Sequence, residues 1–194
     1  MRIVLASASP SRRMILRNAG VDPVIQPADV DEDALLAATD GSPQQAVATL
    51  ARAKAHAVAN QFHDDVVIGG DSMLLLDGHL QGKPHTPEET VRRWHAQAGK
   101  VAELLTGHAI CYRGQEFVET SSTTVHFAAA SEADIAAYAA SGEPWQCAGA
   151  FTLEALGGWF IDRIEGDPSS VIGLSLPVVR RALYSFGLNA SDFW

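Results

Sequence analysis

Val66 to Gly70 reads "VVIGG", a run with no polar side chain, and Asp71 follows it directly. A strand of this kind has no face to show to water, so it belongs inside a sheet covered on both sides. The remaining sequence supplies helices to cover it. Ser9-Pro10, Ser42-Pro43, Thr86-Pro87 and Ser131 are N-terminal helix signals, a capping side chain followed in three cases by proline at the first helical position. They predict helices from Pro10 toward a stop at Gly20, from Ser42 to about Phe62, from Thr86 to near Gly99, and from Ser131 to Ser141-Gly142. A last helix is predicted from about Leu176 to Phe186. Thr86-Pro87-Glu88-Glu89 has the pattern of a capping box.

Between these helices lie further strand-type runs. "RIVLA" precedes the first helix, and "VDPVIQPADVDED" reads as a short strand entering an acidic loop. "LLLDGHL" is a hairpin turning at Asp77-Gly78. "ELLTGHAICYR" and "EFVETSSTTVHFA" are two long β runs around Gly114, and "WFIDRIEG" is a strand. Interleaved strands, helices and hairpins predict an α/β fold with a mixed central sheet flanked by helices. Its 194 residues, 47% hydrophobic and 19% charged, suit one domain over 1–194.

Charge and cysteine usage exclude several functions. A net charge of −9 provides no basic face for a nucleic-acid polymer. No apolar run reaches the length of a membrane span, and no basic region precedes an apolar core at the N-terminus, so a cytoplasmic protein without membrane contact is expected. The two cysteines, Cys111 and Cys147, have no zinc spacing and read as reduced core residues. Seven histidines show no metal-ligand spacing and receive no ligand role.

The residues that carry chemistry are few. Ser7, Ser9, Arg12 and Arg13 crowd around the start of the first helix, where free N–H groups and the helix dipole favour an anion. Two readings stand there, a phosphate site or a solvated helix start. Asp71 closes the buried run behind two glycines, at a strand end of the sort where open α/β sheets place ligands. Lys83 precedes Pro84, Glu32 lies in "VDEDA", and Lys54 falls in the apolar stripe of the second helix with Val47, Ala51 and Val58. Each has an ordinary reading as a solvated loop or a snorkelling stem. Together they meet the needs of phosphoryl transfer: cations for phosphate charge, carboxylates for a divalent metal and a base for water.

The chain resembles the Maf family of nucleoside triphosphate pyrophosphatases over nearly its full length. The matching elements are "LASASPSRR", "VDE", "RAKA", "IGGDS", "GKP", "SGEPWQCAGAF" and "GDPSSVIGL", in the family order. The resemblance implies a fold related to the inosine triphosphate pyrophosphatases, with two lobes, a cleft and a homodimer. It implies cleavage of a nucleoside triphosphate to monophosphate and pyrophosphate, dependent on magnesium or manganese. It also implies that Asp71 is the proton acceptor and a metal ligand with Glu32, and that Glu32 and Lys83 are catalytic. Ser7, Ser9, Arg12, Arg13 and Lys54 match the family's phosphate-site positions. Ser11, Ser72 and Glu154 occupy the positions that separate subgroups preferring dTTP and UTP from those preferring 7-methyl-GTP. Glu154 matches the second subgroup, Ser11 replaces its tryptophan, and Ser72 matches neither. The family's "GLPL" is altered to Gly173-Leu174-Ser175-Leu176-Pro177, where Ser175 can cap the last helix. A nucleotide-binding regulator of cell division without turnover is the alternative of another class.

Overall fold

A computed structural model describes residues 1–194. In chain order the elements are β1 (Ile3–Leu5), α1 (Pro10–Asn18), β2 (Val24–Ile25), α2 (Glu32–Ala37), α3 (Pro43–Ala59), β3 (Val66–Leu76) and β4 (His79–Gln81). There follow α4 (Pro87–Gln97), β5 (Val101–Tyr112), β6 (Gln115–Phe127), α5 (Glu132–Ala140), β7 (Ile161–Glu165), α6 (Pro168–Ile172) and α7 (Leu176–Ser185). The strands form one mixed seven-stranded sheet in the order β2-β1-β3-β5-β6-β7, with β4 paired to β3. The α/β class with a mixed sheet is therefore as the sequence predicts.

The chain divides into two compact units, and β3, β5 and β6 each give one stretch to both. The first holds Met1–Asp71, Thr106–Ser121 and Gly173–Trp194. Here β1 pairs in parallel with β2 on one side and with β3 on the other, in the register Ile3 to Val66, Val4 to Val67 and Leu5 to Ile68. Val4, Ala6, Val58 and Val67 form a core between sheet and α3. The second holds Ser72–Leu105 and Ser122–Ile172. Its core is built on Trp94, whose indole N–H donates to Ala150 O at 2.8 Å. Phe127, Tyr138 and Phe160 meet that ring edge-on, which suits the aromatic quadrupoles.

Local signals mostly act as their chemistry requires. Ser9, Ser42, Thr86, Ser131 and Ser175 all accept a backbone N–H at a helix start. The Asp77-Gly78 hairpin turns with both residues at positive φ. Four readings need correction. The acidic stretch after β2 is helical, because Asp31 accepts from Ala34 N and caps α2, so Glu32 stands in a first turn. The buried run does not end before Asp71, since β3 continues to Leu76. Trp159 and Phe160 belong to a 3₁₀ turn that precedes β7. At α4 only half of the capping box forms, since Glu89 pairs with Arg92 and Arg93 instead.

Candidate active site

Two glycines bring α3 against the sheet. A Cβ on Gly69 would lie 2.2 Å from Ala51 O and 2.6 Å from Ala55 N, and one on Gly107 would lie 2.3 Å from Val47 O. Only residues without a side chain allow a helix backbone so near two strands. Gly69 and Asp71 are two apart on β3, so both address the helix face. Lys54, buried on α3, therefore meets Asp71 rather than water: its Nζ stands 2.7 Å from Asp71 Oδ1. The same ammonium lies 2.9 Å from Glu32 Oε1 on α2. The snorkelling reading of Lys54 is thus set aside, because its charged head is spent on two carboxylates.

Asp71 is only 6% exposed. Its Oδ2 is buried and has no hydrogen-bond partner, unusual for a carboxylate oxygen in a protein interior. Burial pushes the carboxyl above its ordinary range, while the charges of Lys54 and Arg12 and the Lys54 hydrogen bond oppose the rise. A carboxylate with one oxygen anchored and the other unsatisfied is equipped to accept a proton or a cation. The neighbouring Glu32 carboxylate is half exposed. Two oxygen-donor carboxylates sharing one ammonium, one with an orphaned buried oxygen, fit a hard divalent cation such as magnesium or manganese.

The arginine pair divides. Arg12 turns inward, buried, with Nε donating to Gly173 O at 2.7 Å and Nη1 to Ser7 Oγ at 3.2 Å. Burial lowers its pKa against the raising influence of Asp71 and Glu32. Gly70 makes room for this guanidinium, since a Cβ there would lie 3.3 Å from Arg12 Nε. Arg13 turns outward and is exposed, on a cavity of about 350 Å³ lined also by Ser9, Arg17 and Ile25. Ser7 Oγ accepts the Ser9 N–H at 3.2 Å, and Ser9 Oγ accepts the Arg12 N–H at 3.4 Å. Ser11 stands partly buried in the first turn of α1. The first unit thus brings together Ser7, Ser9, Arg12, Glu32, Lys54 and Asp71.

The other predicted residues lie in the second unit. Ser72 follows Asp71 on β3 and is partly buried. Lys83 is exposed in the loop before α4. That loop is pinned by Arg93, which donates to the carbonyls of Gly82 and Lys83 and is itself held by Glu89 at 2.7 Å. Glu154 is exposed in the loop after Phe151, with its carboxylate accepting the Leu153 N–H at 3.1 Å. Glu143 organises that loop. It accepts from the hydroxyls of Thr152 and Tyr138 and from the N–H groups of Leu156 and Gly157. Burial works against the Glu143 charge, but these hydrogen bonds outweigh it and hold the carboxyl below its usual range. Sequence reasoning missed Arg93, Glu89 and Glu143. The i,i+4 spacing of Glu89 and Arg93 was a usable signal for the first two; Glu143 stood within "SGEPWQCAGAF", but its partners, 5 to 14 residues away, follow no helix or strand spacing.

Comparisons with known proteins place the chain in a family. The family described as Maf-like protein matches residues 2–186. Three curated relatives are each named nucleoside triphosphate pyrophosphatase. That of Corynebacterium aurimucosum is 71% identical, covering 100% of this chain and 98% of its own. That of Corynebacterium efficiens is 72% identical, covering 100% and 99%. That of Nocardia farcinica is 57% identical, covering 99% and 96%. The structure of the Staphylococcus aureus Ham1 protein aligns with a TM-score of 0.46 and 16% identity over 66% of this chain and 73% of that one.

Proposed function

Since the chain belongs to the Maf-like protein family, we propose that it hydrolyses nucleoside triphosphates to a nucleoside monophosphate and pyrophosphate. The observation that carries this reading is the buried, orphaned Oδ2 of Asp71, whose companion oxygen Oδ1 is fixed by Lys54. In the reaction a water attacks the α-phosphorus, Asp71 Oδ2 takes its proton, and the bond to the bridging oxygen breaks so that pyrophosphate leaves with the electron pair. Asp71 then returns the proton to solvent. Lys54 holds both carboxylates in register and limits how far burial raises the Asp71 pKa. Glu32 and Asp71 would hold a magnesium or manganese ion, which when bound offsets phosphate charge.

Ser7, Ser9, Arg13 and Lys83 are assigned to the triphosphate. Arg12, engaged with Gly173 and Ser7, is assigned a positioning role rather than a direct fork on phosphate. Base selection is assigned to Ser11, Ser72 and Glu154, and the biological task to clearing noncanonical or modified nucleotides in the cytoplasm, by a homodimer. No helix is long and apolar enough to cross a membrane. The test is release of pyrophosphate from a panel of nucleoside triphosphates with magnesium or manganese. Turnover with equal amounts of monophosphate and pyrophosphate is expected. Nucleotide binding with no turnover on any member would replace this reading by that of a non-catalytic regulator.

A further inference from the structure

Arg113 and Gly114 turn the β5–β6 hairpin with φ of 47° and 77°, the two-residue turn that matches strand twist. Such a turn sets Cys111 opposite Glu116. Ala109 and Cys111 pack toward Ala51 and Ala55 of α3, and His56 follows on the same helix. One ligand atom each from His56, Cys111 and Glu116 lies within 4.8 Å of the others. The three sit on a cavity of about 390 Å³ that His63 and Asp65 also line.

We infer that His56, Cys111 and Glu116 form a binding site for a borderline transition-metal cation of the zinc type, separate from the carboxylates around Lys54. A nitrogen, a sulfur and an oxygen donor make the mixed set that zinc accepts, with solvent from the cavity as fourth ligand. Tetrahedral bonds of about 2.0–2.3 Å put ligand atoms roughly 3.3–3.7 Å apart, so the trio needs only small rotations. His56 Nε2 stands 2.6 Å from Glu116 Oε1, joined by a proton. A cation takes that proton's place and the pair opens by less than an ångström. Arg52 donates to both Glu116 oxygens, at 2.8 and 3.0 Å, and stays as the outer partner that fixes the carboxylate. Burial, with the nearby Glu116 charge, pushes the Cys111 thiol up to about 11. The sulfur–metal bond therefore forms as the S–H bond breaks and its proton passes to water. His56 and Lys54 are two residues apart, roughly 200° around α3, so the two sites share no donor.

The test is titration of the whole protein with cobalt(II), read by thiolate-to-metal charge-transfer absorption, and then displacement by zinc. One equivalent of cobalt is expected to give the band, and one equivalent of zinc to remove it. Cys111→Ser should abolish the band while leaving nucleotide turnover unchanged. His56→Ala, at an exposed position that does not endanger folding, should weaken zinc affinity by more than the roughly 10–100-fold that losing an outer partner costs. Cys147→Ser should keep the band. Cobalt at the Asp71 and Glu32 carboxylates gives no thiolate band, so the sites are read apart. No band in the native protein, a band surviving Cys111→Ser, or one lost in Cys147→Ser would overturn the inference and leave an ion pair beside a bystander thiol.

Discussion

The two oxygens of Asp71 live in different surroundings, one on the Lys54 ammonium and one buried without a partner. Asparagine preserves the shape but cannot take a proton from water. Asp71→Asn is therefore expected to lower kcat by roughly 10²–10⁴-fold, the usual contribution of a positioned base. Nucleotide affinity and the melting temperature should change little; near-native turnover in a steady-state assay would show that another group is the base. Glu154 is a different case, exposed on its loop, where its carboxylate accepts the Leu153 N–H. A carboxylate accepts both the N1–H and the amine of guanine but finds a single N–H partner on uracil or thymine. GTP and 7-methyl-GTP should therefore exceed UTP and dTTP in kcat/KM. Glu154→Gln should shrink that ratio by roughly 5–150-fold, the equivalent of about 1–3 kcal/mol for an unpaired polar group. A native preference for UTP or dTTP, unmoved by the substitution, would remove Glu154 from base selection.

At the scale of elements, the site depends on how closely α3 approaches β3. Gly69→Ala puts a methyl 2.2 Å from a helix carbonyl, whereas Gly70→Ala meets a side chain at 3.3 Å. The first should cost about 1–3 kcal/mol or more through overpacking, about 2–4 °C of melting temperature for each kcal/mol in a chain of this size. It should also reduce turnover by lifting Lys54 from Asp71. The second should be milder in stability, and equal melting temperatures for the two variants would contradict the packing account. The loop before α4 gives a pH test. Hydrogen bonds from Arg92 and then Arg93 hold the Glu89 carboxyl down at about 2, from an ordinary value of 4.5. A depressed folded-state pKa stabilises the fold above the unfolded value, and that stability is lost as pH falls from about 4.5 through about 2. Glu89→Gln should therefore narrow its stability gap from the native protein over that window, measured by melting temperature against pH. A gap that is constant between pH 6 and 3 would show the pair to be inert.

For the whole molecule, the parts legible in sequence are those governed by local chemistry. Ser9-Pro10, Ser42-Pro43 and Asp77-Gly78 act within a few residues, so their helices and turn stand where predicted. Gly69-Gly70-Asp71 was visible as a buried run, but why both glycines are needed was not, because α3 and Arg12 arrive from elsewhere in the chain. The same limit hid the burial of Arg12 and of His108, whose Nε2 accepts from Ser175 N at 2.8 Å, and the closeness of His56 to Cys111. Those are properties of long-range contact rather than spacing. In the proposed reaction, water deprotonated at Asp71 cleaves the triphosphate at its α-phosphorus. The direct measurement is hydrolysis in ¹⁸O-labelled water with mass analysis of both products. The label should appear in the nucleoside monophosphate, with unlabelled pyrophosphate formed in equal amount and both lost in Asp71→Asn. Label in pyrophosphate, or release of orthophosphate with nucleoside diphosphate, would contradict it.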